Sequence, residues 1–168
     1  MTESILTRGL EQLHGLLASA TPEDAGRPTP CTDWDVADLS DHVVNSAAGM
    51  ATMARGGEPD WSSAPHHEDP AVAFRAAGDD LIEAVAASGG AFPEGLAAAE
   101  LAVHAYDLAT ALGRSTGDLD TELAEAGYSF MSSSLTDDQR GDAFAPAQPA
   151  PADADPYQRL AAFAGRAV

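Results

Sequence analysis

Lysine is absent from this 168-residue sequence: all eight basic side chains are arginine, against 27 acidic ones, for a formal charge of −19. Binding that rests on phosphate neutralisation needs clustered Lys and Arg, so nucleic acid is not an expected partner. The same deficit argues against docking on anionic membrane surfaces. Cysteine occurs once, at Cys31, which excludes an internal disulfide and any multi-cysteine zinc site. No run approaches the roughly 20 apolar residues of a membrane-spanning helix. The opening Met1-Thr2-Glu3-Ser4 also lacks the basic start of a secretion signal. The expected setting is the cytoplasm. Aromatic and β-branched runs are sparse, and no stretch sustains the alternation of a strand. Alanine, the best intrinsic helix former, dominates instead. These features predict an all-α protein, with length enough for one domain and a real core.

Helical spacing and punctuation divide the chain. Ile5, Leu6, Leu10, Leu13, Leu16 and Leu17 form a stripe over a first helix from Thr2, its expected N-cap, to Ser19. Pro22, Pro28 and Pro30 then forbid continuation. A second helix is predicted from Asp35, where Asp35 and Asp38 suit an N-terminus, to the Gly56-Gly57 break. Residues 58–69 read as a polar loop, and Asp69-Pro70 opens a third helix that stops at Ser88-Gly89-Gly90. A fourth helix runs from Pro93 to Leu112, with Gly113 as its C-terminal cap. A fifth segment is predicted from Leu119 to Leu135. Residues 141–156 carry Pro146, Pro149, Pro151 and Pro156 and read as an extended arm. A short terminal helix is predicted over 157–165, with Leu160, Phe163 and Val168 packing back on the body. The sum is a four-helix bundle with an extra helical segment and a proline-rich C-terminal arm, taken as a single domain over 1–168. A homodimer is compatible with such a bundle, but nothing in the pattern selects an oligomeric state.

One helix carries candidate chemistry. In Glu100-Leu101-Ala102-Val103-His104-Ala105-Tyr106-Asp107, Glu100 and His104 are four apart and share a face, so both can grip one ion. Asp107 lies a turn further and can receive the free ring N–H of His104. The surrounding sequence is apolar and alanine-rich, where an uncompensated carboxylate costs several kcal/mol; a cation is one compensator. His42 on the second helix offers a third ligand, and two His with one Glu leave a tetrahedral zinc ion one open position. On spacing alone a metal-free alternative stays open, with Glu100 facing solvent and both histidines structural.

The run Cys31-Thr32-Asp33-Trp34-Asp35-Val36-Ala37-Asp38-Leu39-Ser40-Asp41-His42-Val43 resembles the first signature of the mycothiol-dependent maleylpyruvate isomerase N-terminal domain family. That family belongs to the DinB-like (YfiT-like) metalloenzyme superfamily. Glu100 to Ala109 is similar to its second signature, and the ending from Ala143 to Arg166 is similar to tails of small stand-alone actinobacterial members. The resemblance implies a DinB-like bundle binding a divalent metal, usually zinc, through His42, Glu100 and His104, with Asp107 behind His104. It also implies a small-molecule thiol, mycothiol by analogy, and an electrophilic substrate, joined by S-transferase or isomerase-like chemistry. The competing expectation is a metal-binding helical module without catalysis. The isomerase carries a further C-terminal domain that contributes to its active site, so maleylpyruvate isomerisation itself is not the expected reaction.

Other residues take plainer readings. Cys31 is read as an inert small residue, His66-His67 as part of a solvated loop, and His14 as a boundary residue. Trp34 and Trp61 are read as packing residues. Ser132-Ser133-Ser134 has no obvious partner base for nucleophilic catalysis.

Overall fold

The computed structural model describes residues 3–141 and 144–168. Six helices and no strand occur among them: α1 (Ile5–Ser19), α2 (Val36–Ala54), α3 (Pro70–Ala87), α4 (Glu94–Ala111), α5 (Thr121–Ser134) and α6 (Pro156–Phe163). The helix starts follow local capping chemistry. Asp35 accepts from the Asp38 amide while Asp38 reaches back to the Asp35 amide, a reciprocal box that opens α2. Asp69 caps α3 ahead of Pro70, and Asp155 caps α6 ahead of Pro156. The cap expected of Thr2 lies outside the described residues; Ser4 caps α1 by accepting from the Thr7 amide. Asp120 caps α5, which starts two residues later than its apolar pattern suggests. At the end of α4, Gly113 adopts φ +68, the left-handed turn that glycine enters without steric cost.

Helices α1, α3, α2 and α4 close a ring in which each touches the next, while α5 and α6 pack outside α4. Helix α4 therefore has neighbours on every side. Ala97, Ala98, Ala99, Ala102, Ala105 and Ala109 are all buried. Small side chains are what close approach on all sides demands, and a helix buried all round has no polar stripe to show. One contiguous core takes residues from all six helices.

The C-terminal arm folds back on the body. Tyr157 and Leu160 are fully buried, whereas Val168 is exposed. The Tyr157 hydroxyl donates to the Asp120 carbonyl at 2.8 Å and receives the Gln12 amide at 2.8 Å, joining α6, α5 and α1. The terminal helix stops at Phe163 rather than at 165. Gly165 at φ +95 turns the chain there, with the Ala145 carbonyl oxygen 2.6 Å from where a Cβ would stand. No described helix is long and apolar enough to cross a membrane.

Candidate metal centre

Helices α2 and α4 face each other where His42, Glu100 and His104 meet. His42 Nε2 lies 3.0 Å from Glu100 Oε1 and 3.1 Å from His104 Nε2, and His104 Nε2 lies 3.2 Å from the same Glu100 oxygen. Two nitrogens and one oxygen thus form a near-equilateral triangle. Ligands at the usual zinc distances of about 2.0–2.1 Å would stand roughly 3.3 Å apart in a tetrahedron. The three residues are a group able to hold a metal ion, and two imidazoles with a carboxylate suit a borderline-soft divalent cation.

Behind the triangle, His104 Nδ1 lies 3.1 Å from Asp107 Oδ2. Asp107 is completely buried, and Arg166 grips it with Nε at 3.1 Å and Nη2 at 2.8 Å. An ionised carboxylate in the interior is thereby paired and hydrogen-bonded, the condition under which burial is tolerated. Burial works against charge on Asp107, but hydrogen bonds and charges from His104 and Arg166 outweigh it and hold its pKa below the usual range. Glu100 behaves alike: burial opposes its charge, yet His104 and His42 hold it well below the usual range. Burial also opposes a charge on His104, but Glu100 and Asp107 prevail and push the imidazole up to about 9. Without a cation the cluster therefore holds a proton on His104 at neutral pH.

The centre forms part of the wall of a cavity of about 530 Å³. Leu96, Val103, Phe130, Met131, Leu135 and Phe144 give the lining its apolar character, and Cys31 and Arg166 also line it. A second cavity of about 260 Å³, also lined by His42, is formed by α2 and the loop carrying Trp61.

The structure brings together the three residues read as ligands and sets Asp107 against His104. Glu100 does not face solvent as the metal-free alternative requires; 27% of its side chain is exposed, and its Oε1 is held by three neighbours. Three contributors escaped the sequence reading. Ser46 donates to Glu100 Oε1 at 2.7 Å, one turn after His42, where a serine carries no distinguishing signal. Trp34 packs as expected, but against a site residue: its ring centroid lies 4.2 Å from that of His42. Arg166 is far away in sequence, and only the folded arm delivers it.

Cys31 lines the main cavity, and burial pushes its thiol pKa up, with Arg166 countering only in part. His66 and His67 stay out of the cluster, but their loop is pinned rather than free. His66 Nδ1 lies 2.9 Å from Asp41 Oδ2, and the His67 amide donates to Asp41 Oδ1 at 2.9 Å. His14 sits at the α1–α3 boundary, 3.0 Å from Arg75 Nη2. Ser132 and Ser133 donate to the Ser129 carbonyl and have no catalytic partner there.

An all-helical bundle with a histidine–glutamate–histidine cluster between two facing helices is of the DinB-like kind. Within that class, the chain belongs to the mycothiol maleylpyruvate isomerase N-terminal domain family, whose model matches residues 6–116. Two uncharacterized proteins of Mycobacterium tuberculosis, from strains CDC 1551 / Oshkosh and ATCC 25618 / H37Rv, are each 33% identical to it over 174 residues, covering 96% of this chain and 95% of theirs. No solved structure matches the chain significantly.

Proposed function

We propose that this chain is a divalent-metal-dependent enzyme that activates a small-molecule thiol for attack on an electrophile, with zinc as the metal, mycothiol as the thiol, and S-transferase or isomerase-like chemistry. The observation that carries the reading is the triangle of His42, Glu100 and His104 ligand atoms, 3.0–3.2 Å apart on the wall of an apolar cavity. Membership of a family named for a mycothiol-dependent isomerase supplies the thiol. When bound, a divalent cation supplies positive charge that lowers a thiol's pKa, so that the nucleophilic thiolate forms at neutral pH.

The chain's own residues prepare that chemistry. Glu100 contributes one negative charge and acts as a ligand rather than a free base, its Oε1 steadied by Ser46. Asp107 faces His104 Nδ1, which leaves Nε2 directed at the cluster. Trp34 braces His42 from one side. The apolar wall excludes water from the reacting pair, which strengthens every electrostatic interaction inside. A non-catalytic metal module would instead close its centre with a fourth protein ligand. Among the described residues the ligand-capable group has three members, and the cavity adjoins it, which favours catalysis.

The test has two stages. Protein purified without an affinity tag should contain about one equivalent of divalent metal by elemental analysis. Metal-loaded protein with mycothiol should then consume an electrophile, and His104→Ala should abolish that turnover. Metal-free untagged protein that cannot be loaded, or full turnover in His104→Ala, would overturn the reading.

A further inference from the structure

Arg166 lies well beyond the stretch that the family model matches, residues 6–116, yet its side chain ends inside the protein. It is 9% exposed, and its partner Asp107 is 0% exposed. Nε and Nη2 donate to the two oxygens of Asp107 at 3.1 and 2.8 Å, and Nη1 donates to the Ala164 carbonyl at 3.2 Å. A planar guanidinium gripping both oxygens fixes the plane of a carboxylate as well as its charge, which a point charge does not. The oxygen that takes the shorter bond, Oδ2, is the one 3.1 Å from His104 Nδ1.

The delivery of Arg166 is built with comparable care. The Gly165 and Arg166 amides donate to the Ala162 and Ala161 carbonyls at 3.0 and 2.9 Å, ending α6 in a tight left-handed turn. Arg140 ties the arm to the helix end, donating to the Ala145 carbonyl at 3.0 Å and the Phe163 carbonyl at 2.8 Å. The turn points the Arg166 side chain inward while Val168 stays outside.

We propose that Arg166 is a positioning residue of the centre: its two-pronged grip on Asp107 holds the His104 ring in the orientation in which Nδ1–H meets Asp107 and Nε2 faces His42 and Glu100. The consequence for metal affinity rests on the metal-binding reading above, whereas the ring orientation is a property of the chain alone. The C-terminal arm is thus part of the site and not only a cover for the bundle.

Two readouts test this. In the metal-free protein, proton–nitrogen correlation spectra should show a far-downfield His104 Nδ1–H that exchanges slowly with water. Arg166→Met should broaden or abolish that signal while amide and methyl dispersion stays native. In cobalt(II) titrations, Arg166→Met should bind roughly 10- to 100-fold more weakly, the usual effect of losing an outer partner of a ligand, with an altered visible spectrum. Arg166→Lys should recover only part of the affinity, because an ammonium cannot reproduce the two-pronged grip. If Arg166→Met fails to fold, Arg166→Met combined with Asp107→Asn leaves no unpaired buried charge and should show the same weakened cobalt(II) binding. An unchanged Nδ1–H signal, or wild-type cobalt(II) affinity in a folded variant, would overturn the proposal. A wild-type protein that binds no cobalt(II), but whose Nδ1–H signal is lost in Arg166→Met, would defeat the metal reading and leave the role of Arg166 standing.

Discussion

Ser46 and His42, four residues apart on α2, both converge on the same oxygen of Glu100, at 2.7 and 3.0 Å. One helix thereby supplies a candidate ligand and the hydrogen bond that orients another ligand on the facing helix. Hydrogen bonds of this kind to a ligating carboxylate set its direction and are costly to lose. Ser46→Ala is expected to weaken metal binding roughly tenfold, with the helical circular dichroism unchanged. Competition against a chromogenic chelator measures the difference.

The histidines divide sharply by location. His42→Ala removes a vertex of the triangle and should abolish stoichiometric metal binding. His66→Ala and His67→Ala should leave it intact, because those rings meet Asp41 and Asn45 instead. Elemental analysis of the three variants after dialysis makes the comparison directly.

Proton linkage gives the centre a signed pH dependence. A His104 imidazole titrates near 6.5 in an unfolded chain and at about 9 in the metal-free fold. Its stabilising contribution is therefore fully present below about pH 6.5 and is lost as pH rises through about 9. Glu100 acts in the opposite sense: its contribution is present above its ordinary 4.5 and is lost as pH falls toward its lowered native value. Metal must displace the His104 proton, so cobalt(II) affinity should rise by roughly tenfold per pH unit up to about pH 9 and then level off. Titrations at a series of pH values check the slope; a flat profile would contradict it.

Gly165→Ala should destabilise the protein by about 1–2 kcal/mol or more. The left-handed backbone there disfavours a side chain by that amount, and the added methyl would also meet the Ala145 carbonyl 2.6 Å away. Because this turn aims Arg166, cobalt(II) affinity should fall together with the melting temperature. Gly26→Ala, where nothing stands within 4 Å, is the control and should leave metal affinity unchanged.

Much of the architecture was legible because it is written locally. Asp35, Asp69 and Asp155 announce their helices by capping chemistry, and the leucine stripe of α1 shows its buried face. The pairing of Glu100 with His104 is likewise a matter of helical spacing, His42 stands out as a ligand type on the second helix, and the family signatures join all three. What was hidden depends on contacts between distant segments. Gly127 lowers the intrinsic helix propensity of α5. In the fold it is where α5 comes close to α4: a Cβ there would lie 3.0 Å from the Ala99 Cα. Arg166 could not be placed from its neighbours in sequence, since its partner is 59 residues away and only the returning arm joins them. Trp34 reads as a packing residue from composition, and its tilted contact with His42 requires the loop before α2 to fold back, as the Val36 and Ala37 amides do on the Arg27 and Ala25 carbonyls.

The confinement of α4 among α1, α2, α5 and α6 has a practical corollary for anyone reshaping the cavity beside it. Its alanine positions are sterically saturated, so enlarging them would pry the bundle apart before it reshaped the chamber. The cavity wall that α4 does not supply comes in part from Phe130, Met131, Leu135 and Phe144, larger side chains whose trimming would widen the chamber at the cost of core packing.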